Sequence, residues 1–111
     1  MTYEDRIERA VALFKSGYNC SQSVVAAFAD LYGFTDEQAF KMAASFGGGI
    51  GRMRQTCGAA CGLFLLAGLD TGATEGSDNE GKSYNYKVVQ ELAEKFRQEN
   101  GSLICSELLG L

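Results

Sequence analysis

The stretch TCGAACG, residues 56–62, sets Cys57 and Cys61 four apart among small residues, directly after the glycine-rich run GGGIGRMR. Two further cysteines, Cys20 and Cys105, lie far away in the sequence. A thiolate can attack a disulfide, hold a soft metal ion or carry an iron–sulfur cluster. The chain has no histidine, which removes Cys–His catalysis, mixed Cys/His zinc sites and haem attachment through CxxCH. Any metal would be held by sulfur, helped at most by carboxylates.

Each thiol also has a plainer reading. On a helix, residues four apart share one face, and the small residues at 57–62 would let a neighbouring helix approach closely. Cys61 fits that reading, because a free cysteine packs as a small apolar group. Cys57 stands apart. With Thr56 as helix cap, Cys57 falls in a first turn, where exposed amides and the helix dipole favour an anion. Arg52 and Arg54 add positive charge nearby, the setting that makes a thiol reactive. Cys20 directly follows a second candidate cap, Asn19, and Cys105 precedes Ser106 and Glu107 at a third expected helix start. Three cysteines at helix starts point to a shared use of sulfur by Cys20, Cys57 and Cys105. Cys61 would be the fourth candidate if the set held a metal.

The glycines at 47–51 do not form a nucleotide-binding fingerprint. GxGxxG from Gly49 would need a glycine at 54, where Arg54 stands, and no Gly-Lys-Ser/Thr ending is present. Two roles remain for Gly48, Gly49 and Gly58. They can supply left-handed backbone and close approach, or their bare amides can face sulfur as an anion-binding nest. The acidic stretch around Asp70, Glu75, Asp78 and Glu80 lacks the order of a calcium loop and reads as a solvated connection.

The elements that must position these groups are helical throughout. Tyr3, Ile7, Ala10, Val11 and Phe14 recur at helical spacing, and Gly17 ends that run. Asn19 with Gln22, and Thr35 with Gln38, form capping boxes for a second and a third helix. A fourth helix, from about Thr56 to Leu69, is apolar nearly all round and is expected to be surrounded by others. A fifth carries Tyr86, Val89, Leu92, Ala93 and Phe96 on one face, and SLICSELLGL allows a short last helix near Cys105. No segment alternates like a strand, and no linker divides the chain. The expectation is an all-α fold, a single compact helical bundle of about five helices plus a short C-terminal one, over residues 1–111.

Composition narrows the partners. The chain is 46% hydrophobic with a net charge of −4, which argues against nucleic acid, whose binding wants a clustered basic face. Arg52 with Arg54 is too small a cluster to supply one. The apolar run from Cys57 to Leu69 is shorter than the ~20 residues that span a bilayer, so no membrane insertion is expected. The N-terminus is charged from its fourth residue, unlike a secretory signal, so the expected location is cytoplasmic, where thiols stay reduced.

GYNCSQSV, GGGIGRMRQTCGAACG and CSELLG together make the chain resemble the C-GCAxxG-C-C family of redox-active proteins, over about Gly17 to Gly110. The resemblance implies an all-helical fold, related to a domain of split-Soret cytochromes, and redox use of the cysteines matching Cys20, Cys57 and Cys105. Its most specific part is Cys57-Gly58-Ala59 with Gly62. The family pattern has one more cysteine beyond the position of Cys105, whereas Leu111 ends this sequence. Either Cys61 stands in for that thiol, or the site is incomplete, or the chain is a C-terminally shortened form. The leading expectation is thiol–disulfide exchange or electron transfer through an iron–sulfur cluster, with Arg52 and Arg54 stabilising charge on sulfur and an unidentified redox partner. The alternative is a non-enzymatic helical module with structural zinc or merely buried cysteines. The near-uniformly apolar fourth helix and the final leucines, Leu108, Leu109 and Leu111, further lead to the expectation of a homodimer.

Overall fold

A computed structural model describes residues 1–111. Six α-helices follow in order: α1 Tyr3–Lys15, α2 Cys20–Phe28, α3 Asp36–Ala43, α4 Gly58–Thr71, α5 Asn79–Asn100 and α6 Cys105–Leu109. Short 3-10 turns continue α2 over Ala29–Tyr32 and α3 over Ala44–Phe46. The fold is all-α, and its one β-type contact is an isolated antiparallel bridge between Thr56 and Ile104.

The helix starts follow from side chains that satisfy the free amides of a first turn. Asn19 accepts from the Gln22 amide while Gln22 reaches back to the Asn19 amide, and Thr35 and Gln38 do the same for α3. Thr2 and Asp5 form a third capping box for α1. Left-handed Gly33 stops the turn after α2, a conformation that costs a glycine little.

α2 is the central element, packed against α1, α3 and α4. The buried core joins Val25, Ala26 and Ala29 to Ala39 and Ala43 of α3 and Leu66 of α4. Most of these residues are small, so the helices approach closely and few large side chains are fully enclosed.

Three expected faces differ in the structure. In α1 the buried residue is Arg6, while Ile7, Val11 and Phe14 are exposed. The reason is a specific anchor: the Arg6 guanidinium donates to the Ala27 carbonyl at 2.9 Å and to both carboxylate oxygens of Asp30, at 2.6 and 3.1 Å. That fork turns Arg6, with half-buried Ala10 and Leu13, toward α2 and rotates the larger apolar residues outward. In α5 the half-buried face is Val88, Val89, Leu92, Ala93 and Phe96, and Tyr86 is exposed, because α4 is the main helix it packs on. α4 itself is not surrounded. It is covered by α2 and α5, and its remaining side, with Cys61, Phe64, Leu65 and Gly68, opens with Phe46 into a groove of about 300 Å³.

The hydrogen bonds from Arg6 hold the Asp30 carboxyl below the usual carboxylate range. A depressed folded value contributes stability above the unfolded value, near pH 4, that is lost as pH falls through the folded one. Chemical denaturation from pH 6 down to pH 2 is expected to show wild-type stability falling more steeply than that of Asp30→Asn. Hydrogen exchange of the variant at neutral pH should show α1 amides exchanging faster while those of α2 stay protected.

Candidate functional site

Cys20 is the first residue of α2, fixed there by the Asn19 cap, and Asn19 also donates from Nδ2 to the Ala44 carbonyl at 3.1 Å. α4 passes beside α2 with glycine at both crossing points. A Cβ on Gly58 would collide with the Cys20 sulfur and stand 2.6 Å from the Phe46 carbonyl oxygen. One on Gly62 would come within 3.1 Å of the Val24 side chain. The Cys20 sulfur therefore lies against the backbone immediately after Cys57.

Between α3 and α4 the chain turns through an unusual left-handed run. Gly48, Gly49, Ile50, Gly51 and Arg52 all have positive φ, from 56° to 78°, and Arg54 follows at 63°. Left-handed backbone costs a non-glycine residue roughly 1–2 kcal/mol, so Ile50, Arg52 and Arg54 together oppose folding by about 3–6 kcal/mol. Backbone bonds offset this: Gly51 N–H donates to the Ser45 carbonyl at 2.7 Å, Arg54 N–H to Gly48 at 3.2 Å and Gln55 N–H to Gly49 at 3.0 Å.

The run delivers residues 54–57 alongside the segment entering α6. Cys57 N–H donates to the Leu103 carbonyl at 2.7 Å and Cys105 N–H to the Gln55 carbonyl at 2.6 Å, on either side of the Thr56–Ile104 bridge. Side chains alternate across such a ladder, so Cys57 and Cys105 share the face opposite Thr56 and Ile104. Gly49 makes the room: a Cβ there would lie 2.6 Å from that of Cys105 and 2.7 Å from the Arg54 Cα.

These constraints converge on one cavity of about 340 Å³. Cys20, Cys57 and Cys105 line it with Gly48, Gly58 and Asn19, and Phe14, Leu108 and Leu109 form its apolar wall. Arg54 supplies the single charged side chain of the lining, its Nη1 standing 3.7 Å from the Cys105 sulfur. All four cysteines are free thiols. Cys20 and Cys57 are half-exposed, and Cys105 is buried.

Other expected members fall differently. Cys57 is itself the N-cap of α4, one residue earlier on the helix than a Thr56 cap would place it. The nearby guanidinium meets Cys105, not Cys57. Arg52 points away, into a separate polar hollow shared with Asn19, Ala44 and Gly47. Cys61 lies on the open groove of α4, its sulfur 3.9 Å from the Thr56 carbonyl oxygen. Burial raises the Cys61 thiol above its ordinary range, and the neighbouring Cys57 and Cys20 push it the same way. No three cysteine or carboxylate side chains stand close enough together to hold one metal ion. Phe14, Leu108, Leu109 and Asn19 are site residues that sequence spacing did not indicate. In the sequence Phe14 is one apolar position in the periodicity of α1, and only the folded chain brings α1 and α6 to the same opening.

A helical protein with three thiols and one guanidinium around a single apolar cavity has the makings of a sulfur redox site. The family comparison agrees: residues 18–110 match the family described as "Putative redox-active protein (C_GCAxxG_C_C)", and the chain belongs to it. No curated protein and no solved structure matched the chain at a significant level.

Gly58→Ala tests the α2–α4 contact on which the cavity depends. Overpacking there is expected to cost about 1–3 kcal/mol in urea denaturation. Alkylation mapping of the folded variant should show a changed rate at Cys20 and an unchanged one at Cys61.

Proposed function

We propose that Cys20, Cys57 and Cys105 form a thiol redox site that passes electrons by thiol–disulfide chemistry with a redox partner yet to be identified. The observation that carries this reading is the cavity itself, which gathers three cysteines of a chain in a redox-active family and sets a guanidinium against one of them. A thiol beside a cation, in an opening that admits a reactant, is the environment of a reactive cysteine. Cys61 is left out of this set because it lines the groove on another side of α4 and not the cavity.

An iron–sulfur cluster is the second reading, favoured by three thiols on one cavity. With the side chains as they stand the donors do not fit a shared metal, so thiol chemistry is preferred. Redox titration of metal-free protein against glutathione buffers, with disulfides mapped by mass spectrometry, should give a disulfide among Cys20, Cys57 and Cys105. Cys57 should alkylate faster than Cys61 at pH 7. Stoichiometric iron and sulfide in protein purified without oxygen would replace this reading with the cluster.

Two further assignments accompany the site. No helix is long and apolar enough to cross a membrane; we propose a cytoplasmic location, the compartment in which a thiol site of this kind is kept reduced. We also infer a homodimer. Only 18 of 111 residues are buried, α5 buries none, and the groove beside Phe64 and Leu65 leaves one side of α4 uncovered. Leu108 finds a place in the cavity wall, so α4 and α5, more than the C-terminal tail, supply the surface for a second copy. Light scattering at micromolar concentration should give twice the 11.9 kDa chain mass. A monomer mass unchanged on raising the concentration would exclude the dimer.

A further inference from the structure

We propose that the cavity receives an apolar organic hydroperoxide and that Cys105 is the sulfur that reduces it. This rests on the thiol redox reading above and names its oxidant. Access comes first. Cys105 is only 7% exposed and lines a cavity of about 340 Å³, so a disulfide carried on the surface of a folded protein is poorly placed to meet this sulfur. A small molecule can reach it.

The walls then select its chemistry. Phe14, Leu108 and Leu109 favour a hydrocarbon body, and a highly hydrated reactant would lose water there for little return. The lining carries no carboxylate, so negative charge appearing in the cavity meets no repulsion, and its one cation is Arg54. With Nη1 3.7 Å from the Cys105 sulfur, that guanidinium can follow charge as it moves from sulfur to a departing oxygen.

The step balances without a further reactant. The Cys105 thiolate attacks the terminal oxygen of the hydroperoxide, an S–O bond forms and the O–O bond breaks. The alkoxide leaves and takes a proton from water to become the alcohol. Sulfur is oxidised to sulfenic acid, and the peroxide receives the two electrons. A second cavity thiol attacks that sulfur, the S–S bond forms, and the hydroxide leaves as water with the attacking thiol's proton. Cys57 is placed for this. It lies diagonally across the Thr56–Ile104 bridge from Cys105, a relation that separates Cα atoms by roughly 7–8 Å. A disulfide needs less than about 7 Å, so the five-residue α6 moves inward as the bond forms.

The test is single-turnover oxidation of the reduced, chelator-treated full chain by cumene hydroperoxide and by hydrogen peroxide at equal concentration, with dimedone to trap sulfenic acid. Cumene hydroperoxide is expected to react roughly tenfold faster or more, the discrimination an apolar pocket supplies. The trapped sulfenate should map to Cys105. The fast phase should vanish in Cys105→Ser and slow at least about tenfold in Arg54→Gln with helix content retained by circular dichroism. Hydrogen peroxide reacting as fast in wild type, or a dimedone label confined to Cys20 or Cys57, overturns the proposal whatever the variants do. Thiols that form a disulfide in glutathione buffer but ignore both peroxides remove this inference and leave the redox reading intact. Thiols inert to all three oxidants remove both.

Discussion

Two backbone hydrogen bonds hold the site together: Cys57 N–H to the Leu103 carbonyl and Cys105 N–H to the Gln55 carbonyl. They join the entrance of α4 to the entrance of α6, two points separated by the whole of α4, the acidic connection and α5. Without them α6 would have little to hold it, because it is five residues long and makes no extensive contact with another helix. With them, Cys105, Leu108 and Leu109 are carried to the opening where Cys20 and Cys57 already stand. The cavity is therefore a product of the ladder as much as of the helices.

The glycines around the ladder are sized to sulfur and backbone. Gly58 leaves space for the Cys20 sulfur, Gly49 for the Cys105 side chain, and Gly62 for Val24 where α2 and α4 cross. A side chain at any of these positions would push apart the elements that bring the thiols together. This separates the motif glycines from ordinary turn glycines such as Gly33, where an added Cβ would meet nothing.

The left-handed run shows where conformational cost is accepted. Ile50 is β-branched and sits at φ 64°, a region such residues rarely occupy. The same run sets Arg52 and Arg54 on different paths, one to the polar hollow near Asn19 and the other to the Cys105 sulfur. Two arginines that look equivalent in the sequence, and share nearly the same φ, thus meet different surroundings in the fold. Strain of this kind persists where the surrounding structure over-determines it, and here the Ser45, Gly48 and Gly49 carbonyls do so.

Much of the fold was legible from local chemistry. Capping boxes at Asn19 and Thr35 and the 3.6-residue periodicity are interactions within a few residues of one another, so the sequence alone determined that the chain is helical and where Cys20 begins its helix. The sequence also singled out Cys20, Cys57 and Cys105 through their motif. Which helix faces turn inward was decided by tertiary structure, because α1 rotates to satisfy the Arg6–Asp30 fork and α5 packs mainly on α4. The placement of Cys61 on a different groove from the cavity, the pairing of Arg54 with Cys105 and the wall built by Phe14, Leu108 and Leu109 were decided there too. Such features depend on contacts between residues tens of positions apart, and no local periodicity records which distant backbone a given amide will meet.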